Sequence, residues 1–410
     1  MCQFKSGIIL KNKIVVAPGK DDSHSNLLES LGIQDDYIGA SKTFVRAELV
    51  PKNNEWWISP EEHPEKWTFV VDQDIVPEWF CKEESEKEFR AAVCTWWKSH
   101  ILVDQKLEKL ESGYYRLKRC EVKKLLNDVM ADLYDSEVGE MRGSSQVGVM
   151  RESSQVGVMW ESSRVGEMRE SSQVGVMRGS SRVGEMRESS RVGVMRGSSQ
   201  VGVMRESSQV GVMRGSSQVS VMWESSQVGV MWESSRVGVM RESSQVGEMR
   251  ESSRVGVMRE SSQVGEMRGS SQVGVMWESS RVGVMRESSQ VGEMWESSQV
   301  GEMRGSSQVG VMRGSSRVGV MRRSSQVGEM RESSQVGVMR ESSQVGVMRG
   351  SSQVGVMRGS SQVGVMWESS RVGEMRESST AKDYKNYPKI KIWVSPEGNF
   401  EMLTYVNKTE

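Results

Sequence analysis

The sequence is poor in the residue types from which most catalytic and metal sites are built. Its 410 residues include only four cysteines, three histidines and seven prolines. The cysteines Cys2, Cys81, Cys94 and Cys120 all lie in the first third of the chain. Their spacing matches neither a disulfide framework nor a close-paired zinc pattern, so we expect reduced thiols.

The histidines are also isolated from catalytic motifs. His24, His63 and His100 lie outside the metalloprotease and nucleophile-elbow patterns. Asp72 and Asp74 could seat a divalent metal, but carboxylates in a turn are usually just solvated. The sequence therefore predicts no catalytic residue, no cofactor and no metal ligand, and we expect a non-enzymatic protein.

Long apolar runs and a net charge of one sign are missing as well. The apolar opening that ends at Leu10 is interrupted by Lys11 and Lys13, which makes a poor signal peptide. No run reaches transmembrane length. The formal net charge of −1 provides no global attraction to nucleic acid or membrane. We expect a cytoplasmic protein, with a virion-associated location left open.

What the chain does have is a nine-residue repeat between Val138 and Ser379, as in the unit 144–152. Its Val recurs 27 times in unbroken register, from Val138 to Val372. Counted from the first Ser, the first, second, fourth, fifth and seventh places are Ser, Ser, Val, Gly and Met, with one lapse at Ser220. The third place is Gln or Arg, the sixth Val or Glu, the eighth Arg or Trp, and the ninth Glu or Gly, with Arg323 as the one exception.

The pattern of fixed and variable places predicts which side chains face inward. A place that accepts Val or Glu, or Arg or Trp, does not suit a packed core, whereas fixed small and apolar residues do. In the unit 144–152 the inward candidates are Ser145, Val147 and Met150, and Gly148 is the expected turn or bulge.

The period of nine selects the secondary structure. On an α-helix the Val stripe would change sides at every repeat, and on one endless strand the odd period would reverse the alternation. A short strand plus a turn in each repeat remains, and stacking such units gives a parallel β-solenoid. Two repeats per coil would make about 13 coils and three about nine, a choice that the sequence leaves open. The alternative is a disordered Ser/Gly-rich array, since each repeat reliably offers only one Val and one Met to a core.

We expect three regions: an α+β domain at 1–135, the solenoid at 136–379 and a β-hairpin cap at 380–410. Six tryptophans in the first domain are expected to pack in its core. Its predicted elements are strands at 7–10, 14–16, 43–50 and 66–71, a short helix opened by Asn26 and ended by Gly32, and helices at 83–100 and 117–134. Strands at 389–394 and 400–406 would cover the open end of the last coil.

Four segments before the array carry a resemblance: 2–6 (CQFKS), 44–49 (FVRAEL), 71–77 (VDQDIVP) and 113–120 (GYYRLKRC). Together they resemble an uncharacterised N-terminal domain found in repeat proteins of gut bacteria and their phages. That domain tends to precede Ser/Gly/Val-rich or pentapeptide repeats, and the resemblance implies no activity and no catalytic residues.

The function that we expect is a scaffold or binding rod that presents its variable places to a protein or surface glycan. Nucleic acid is disfavoured because Glu is interleaved with Arg, and the array lacks the Asp of calcium-binding nonapeptide rolls. The alternative is a small enzyme or ligand-binding module at 1–135 carrying a passive spacer, and oligomeric state stays open. The candidate binding residues, all at the eighth place, are Trp160, Trp223, Trp232, Trp277, Trp295, Trp367, Arg151 and Arg169.

Overall fold

A computed structural model describes residues 4–19 and 22–383. The described residues form two compact units. The first comprises 4–139 and 145–148, and the second comprises 140–144 and 149–383. The fold is mainly β, with a small α+β region and a long parallel β-solenoid, as predicted. The predicted hairpin at 389–406 lies outside the described residues.

An antiparallel sheet and a few helices make up the α+β part of the first unit. The elements are β1 (Lys5–Leu10), β2 (Lys13–Val16), α1 (His24–Ser30), α2 (Tyr37–Lys42), β3 (Phe44–Pro51), two 3₁₀ turns (Lys52–Asn54 and Pro64–Lys66), β4 (Trp67–Val71) and α3 (Lys82–His100). The strands of the sheet are ordered β2-β1-β3-β4. The four predicted strands and the helix at 83–100 are thereby confirmed.

The cap of α1 differs from the prediction. Ser23, not Asn26, is the N-cap residue, and its side chain accepts a hydrogen bond from the Asn26 amide at 3.3 Å. Gly32 follows the helix with φ of 68°, as a C-terminal glycine should.

The tryptophans of the first unit belong to its core, as expected. Trp56, Trp67 and Trp96 are buried in the cluster that includes Phe89 of α3. The indole N–H of Trp67 donates to the carbonyl of Ile58 at 3.1 Å, which satisfies a polar group at the edge of the core.

The predicted helix at 117–134 is wrong, because this segment is extended. It contains the end of β6 (Lys106–Lys118) and all of β7 (Glu121–Tyr134), which pair in parallel with each other. On its other side β6 pairs in parallel with β5 (Ile101–Val103). The buried residues Val122, Leu125, Val129 and Leu133 imitate a helical stripe. In a straight strand every second side chain points inward. Where a strand bends, successive inward side chains are three or four residues apart, which is also the spacing of a helical stripe.

Every repeat of the array contains one short strand that begins at its third place. They are β8 (Glu137–Met141), β9 (Gln146–Arg151), β10 (Gln155–Met159), β11 (Arg164–Met168), β12 (Gln173–Met177), β13 (Arg182–Met186), β14 (Arg191–Met195), β15 (Gln200–Met204), β16 (Gln209–Met213), β17 (Gln218–Met222), β18 (Gln227–Met231), β19 (Arg236–Met240), β20 (Gln245–Met249), β21 (Arg254–Met258), β22 (Gln263–Met267), β23 (Gln272–Met276), β24 (Arg281–Met285), β25 (Gln290–Met294), β26 (Gln299–Met303), β27 (Gln308–Met312), β28 (Arg317–Met321), β29 (Gln326–Met330), β30 (Gln335–Met339), β31 (Gln344–Met348), β32 (Gln353–Met357), β33 (Gln362–Met366) and β34 (Arg371–Met375).

Two repeats make one coil, which settles the question that the sequence leaves open. Each strand pairs in parallel with the second strand after it, so that Val174 lies against Val192 and Met177 against Met195. Hydrogen bonds also join one coil to the next, as from the amide of Gln173 to the carbonyl of Ser154 at 2.9 Å. Alternate repeats therefore form two columns, which we name the Val156 column and the Val165 column after one member of each.

The core of the solenoid consists of the three predicted places. The second-place Ser is fully buried from Ser145 to Ser361, and Val and Met are at most 3% exposed from Val147 to Met366. Every repeat thus contributes the same Ser, Val and Met to the interior, which explains why these places do not vary.

The fifth-place glycine lies inside the strand, and the turn lies elsewhere. Between the inward Val and Met two successive residues face outward, so the chain bends at this glycine without ending the strand. The coils approach closely here, because a Cβ on Gly265 would lie 2.5 Å from the carbonyl oxygen of Gly247. The turn is at the ninth place, where φ is 57° at Glu188 and 69° at Gly197. Gly148 therefore lies at a bend within its strand, which agrees with the predicted bulge, whereas the turn itself is at the ninth place.

The ladder continues one strand past the last repeat. Thr380 and Ala381 interrupt the repeat in sequence, yet β35 (Thr380–Asp383) pairs in parallel with β33, with Thr380 against Gln362. No helix among the described residues has both the length and the apolarity needed to cross a bilayer.

Candidate functional surface

The variable places form the outer surface of the solenoid, arranged as parallel rows that run from coil to coil. Third- and ninth-place side chains are largely exposed, and those at the sixth and eighth places are mostly half-buried. Each row occurs twice, once in each column, because a coil contains two repeats. The chemistry of the surface is therefore set row by row.

The eighth-place side chains stack on one another. Trp277 and Trp295, one coil apart in the Val165 column, have parallel rings with centroids 4.8 Å apart. The guanidinium of Arg313 in the next coil lies 4.3 Å from the Trp295 ring centroid. The same stacking joins Arg178 to Trp160, Arg214 and Arg250 to Trp232, and Arg241 to Trp223. Five of the six predicted tryptophans thus contact an eighth-place neighbour, in geometry typical of cation–π and stacked pairs.

The structure separates the predicted tryptophans into two groups. Trp160 and Trp232 lie in the Val156 column, and Trp223, Trp277, Trp295 and Trp367 lie in the Val165 column. Only Trp367 is strongly exposed, at 40%, and the other five are half-buried. The eighth place is thus on the outside, as predicted, but most of its aromatic faces are already covered.

The eighth-place arginines pair with sixth-place glutamates. Glu266 lies 2.9 Å from Arg268 of its own repeat and 2.5 Å from Arg286 in the next coil. The hydrogen bond from Arg268 is the main reason that the pKa of Glu266 is lowered. The predicted Arg169 likewise pairs with Glu167 at 2.7 Å, whereas Arg151 is half-buried beside Val149. The acid that pairs with an eighth-place arginine is thus the sixth-place Glu and not the neighbouring ninth-place Glu.

The ninth-place glutamates lie at the turns. When the ninth place is Gly in one coil and Glu in the next, the Glu carboxylate folds back onto the Gly amide. Glu287, for example, accepts a hydrogen bond from the amide of Gly269 at 2.8 Å. The Val165 column instead has nine successive glutamates at this place, exposed or half-buried: Glu152, Glu170, Glu188, Glu206, Glu224, Glu242, Glu260, Glu278 and Glu296. This edge of the solenoid is therefore acidic.

Among the described residues, third-place side chains take no part in the ion pairs and ring stacking of the sixth and eighth places. The third-place row of the Val165 column borders a shallow groove of about 450 Å³ with a floor of glycines and a wall that includes Gln272 and Gln290, whose side-chain amides meet at 3.4 Å. Eight exposed arginines at this place form no ion pair within the part of the chain that the structure describes: Arg164, Arg182, Arg191, Arg236, Arg254, Arg281, Arg317 and Arg371. The sequence does not distinguish the third-place from the eighth-place arginines, because ion pairing depends on which side chains the fold brings together.

One polar cluster in the first unit escaped sequence reasoning. His24, Glu48 and Asp72 come together, although they are far apart in the chain. Asp74 and His63 do not belong to the cluster. A signal did exist, since Glu48 is the one acidic residue in a strand whose other members are mostly apolar.

Comparison with known proteins adds no relative. No family model matches the chain, and neither a curated protein nor a solved structure is similar to it.

Proposed function

We propose that the chain is a non-enzymatic structural scaffold whose solenoid displays rows of polar side chains to a partner. The observation that supports this proposal is the confinement of sequence variation to the outside. The interior Ser, Val and Met are the same in every coil, while the outward places alternate between residues of different charge and size. A protein with this division can change its surface without disturbing its core.

The partner surface that we favour is the pair of third-place rows, one in each column, of which the row in the Val165 column borders the groove. Third-place arginines such as Arg254 are exposed and form no ion pair among the described residues, whereas eighth-place arginines such as Arg268 are paired with glutamate. An unpaired guanidinium can bind a carboxylate or sulfate on a partner without first losing an internal ion pair. An acidic surface glycan or an acidic protein segment fits this chemistry.

The repeat itself supplies variants that test the proposal without risk to the core. Gln occupies the third place in most repeats, so replacing the eight third-place arginines with Gln uses a residue already tolerated there. The matched control replaces the six eighth-place tryptophans with Arg, which is also native to that place. Binding to a panel of immobilised acidic and neutral glycans and to acidic peptides should fall in the first variant and persist in the second.

The scaffold role has its own test. Variants that lack one or three whole coils but keep the rest of the chain should bind proportionately fewer partner molecules at saturation, with an unchanged affinity per site. Equal stoichiometry in all lengths would contradict a distributed scaffold. Retention of binding in the Arg-to-Gln variant, with loss in the Trp-to-Arg variant, would instead transfer the partner surface to the eighth place.

A further inference from the structure

A polar cluster in the first unit has the composition of a metal site. It joins His24, the first residue of α1, to Glu48 in β3 and Asp72 directly after β4. One ligand atom from each residue lies within 4.8 Å of the other two. His24 and Glu48 are only 4% and 5% exposed, whereas the Asp72 side chain is 56% exposed. The cluster is thus buried on one side and open to solvent on the other.

The backbone fixes the orientation of the His24 ring. Its Nε2 lies 3.1 Å from the carbonyl oxygen of Ala47, which can only accept a hydrogen bond, so Nε2 carries a proton. Nδ1 is then the ring nitrogen that can bind a metal, and it lies 3.3 Å from Oδ2 of Asp72. Histidine ligands of metals usually have this arrangement, with one ring nitrogen donating to a carbonyl and the other on the metal.

Asp72 is held in place by the strand that carries Glu48. Its amide donates to the carbonyl of Arg46 at 2.9 Å. The next residue, Gln73, accepts from the Arg46 amide at 2.8 Å and donates to the carbonyl of Phe44 at 3.2 Å. A ligand on a loop that is tied to the neighbouring strand in this way is positioned before any ion binds.

The donor atoms of the cluster suit a divalent cation. A divalent ion with a neutral imidazole neutralises both carboxylates. One nitrogen and two carboxylate ligands suit Zn²⁺ and related first-row ions, and three protein ligands leave a position for water.

We propose that His24 Nδ1, Glu48 and Asp72 bind one divalent transition-metal ion of the Zn²⁺ type at the surface of the first unit. The site is independent of the scaffold role proposed above, since none of its residues belongs to the array.

The test is a titration of the chelator-treated, full-length chain with Zn²⁺ by calorimetry and with Co²⁺ by visible absorption. We expect one ion per chain, bound through nitrogen and oxygen, and therefore a Co²⁺ spectrum without an intense thiolate charge-transfer band. Asp72→Asn, which alters an exposed side chain, should weaken Zn²⁺ binding by at least about tenfold. His24→Gln should do the same. The matched controls are Asp74→Asn and His63→Gln, which lie outside the cluster and should bind like the wild type.

Circular dichroism and thermal unfolding of each apo variant separate loss of a ligand from loss of the fold. The proposal is overturned if the wild type shows no saturable binding, which would make the cluster a metal-free His–carboxylate contact. Equal affinity in the wild type and Asp72→Asn would also overturn it. So would a thiolate band in the Co²⁺ spectrum, which would assign the ion to cysteines such as the exposed Cys81.

Discussion

Trp277 and Trp295 lie face to face with their ring centroids 4.8 Å apart and their planes within 10° of parallel. The distance equals the usual spacing of hydrogen-bonded strands, because the two residues occupy the same place in successive coils. Residues 18 apart are therefore neighbours on the surface, and residues nine apart belong to opposite columns. Both columns contribute the same residues to the core, but they differ in the residues at their outward places.

This relationship predicts different outcomes for deletions of one and two repeats. Deleting 279–287 removes one repeat between the two tryptophans and transfers Trp295 to the other column, where Arg268 precedes it by one coil. The fold should persist, because every repeat offers the same core residues, but the Trp277–Trp295 stack should be lost. The measurement is the exciton signal of the stacked indoles in circular dichroism.

The matched control is deletion of 315–332, two whole repeats beyond the stack. It shortens the solenoid by one coil and leaves the tryptophan pair in register, so the exciton signal should be unchanged. An exciton signal that survives the one-repeat deletion would show that coils do not contain two repeats.

The close approach of coils at the fifth place predicts an effect of adding a side chain there. In Gly265→Ser the new Cβ would meet the carbonyl oxygen of Gly247, which forces the strands apart. We expect a loss of about 1–3 kcal/mol in the free energy of unfolding, the usual cost of overpacking. Ser220 already occupies this place in one repeat, so Ser220→Gly should have the opposite sign. Chemical denaturation of both variants checks the prediction, and a stabilised Gly265→Ser would contradict it.

Sequence reasoning found the solenoid because invariance and period carry direct information about packing. Ser145, Val147 and Met150 were identified as inward by constancy alone, and all three are buried. The turn was missed because the ninth place is Glu in most repeats, and Glu188 and its equivalents adopt a positive φ without the Gly or Asn that normally signals it. Turns of successive coils are hydrogen-bonded to each other, as from the Ser180 amide to the Glu161 carbonyl at 2.9 Å, a contact that no single repeat reveals.

The strands at 106–134 and the metal-type cluster were missed for a different reason. The spacing of Val122, Leu125 and Val129 fits a helix as well as a bent strand, and only pairing with a neighbouring strand distinguishes the two. The cluster depends on contacts between His24, Glu48 and Asp72, which are brought together by the tertiary fold. Nothing in the local sequence around any one of them reports the other two.

Burial predicts the order in which methionines are oxidised. Met130 is 44% exposed, whereas Met375 near the end of the array is 7% exposed and interior residues such as Met249 are 0% exposed. Among the methionines that the structure describes, peroxide should oxidise Met130 first and Met375 next, because the sulfur must be accessible to the oxidant. The interior methionines should react only after the coils open. Peptide mass spectrometry over a time course measures the order, and early oxidation of Met249 would contradict a closed core.

The glutamate–arginine row predicts how stability changes with pH. The pKa values of Glu185, Glu266, Glu302 and Glu329 are lowered below their usual 4.5, chiefly by hydrogen bonds from an arginine in the same repeat. A lowered folded-state pKa means that the unfolded chain binds protons more readily, so the stabilisation is complete above about pH 4.5 and is lost as pH falls through the folded-state values.

The variant that isolates this effect replaces these four glutamates with Val, the residue found at the sixth place in most repeats. We expect the wild type to have the higher melting temperature at neutral pH and the difference to shrink as pH falls below about 4.5. High salt at neutral pH should reduce the difference only in part, since the carboxylates are half-buried and are screened less than exposed charges. A melting-temperature difference that stays constant from neutral pH to well below 4.5 would show that the Glu–Arg pairs do not stabilise the stack, and that Val and Glu differ there only in their packing.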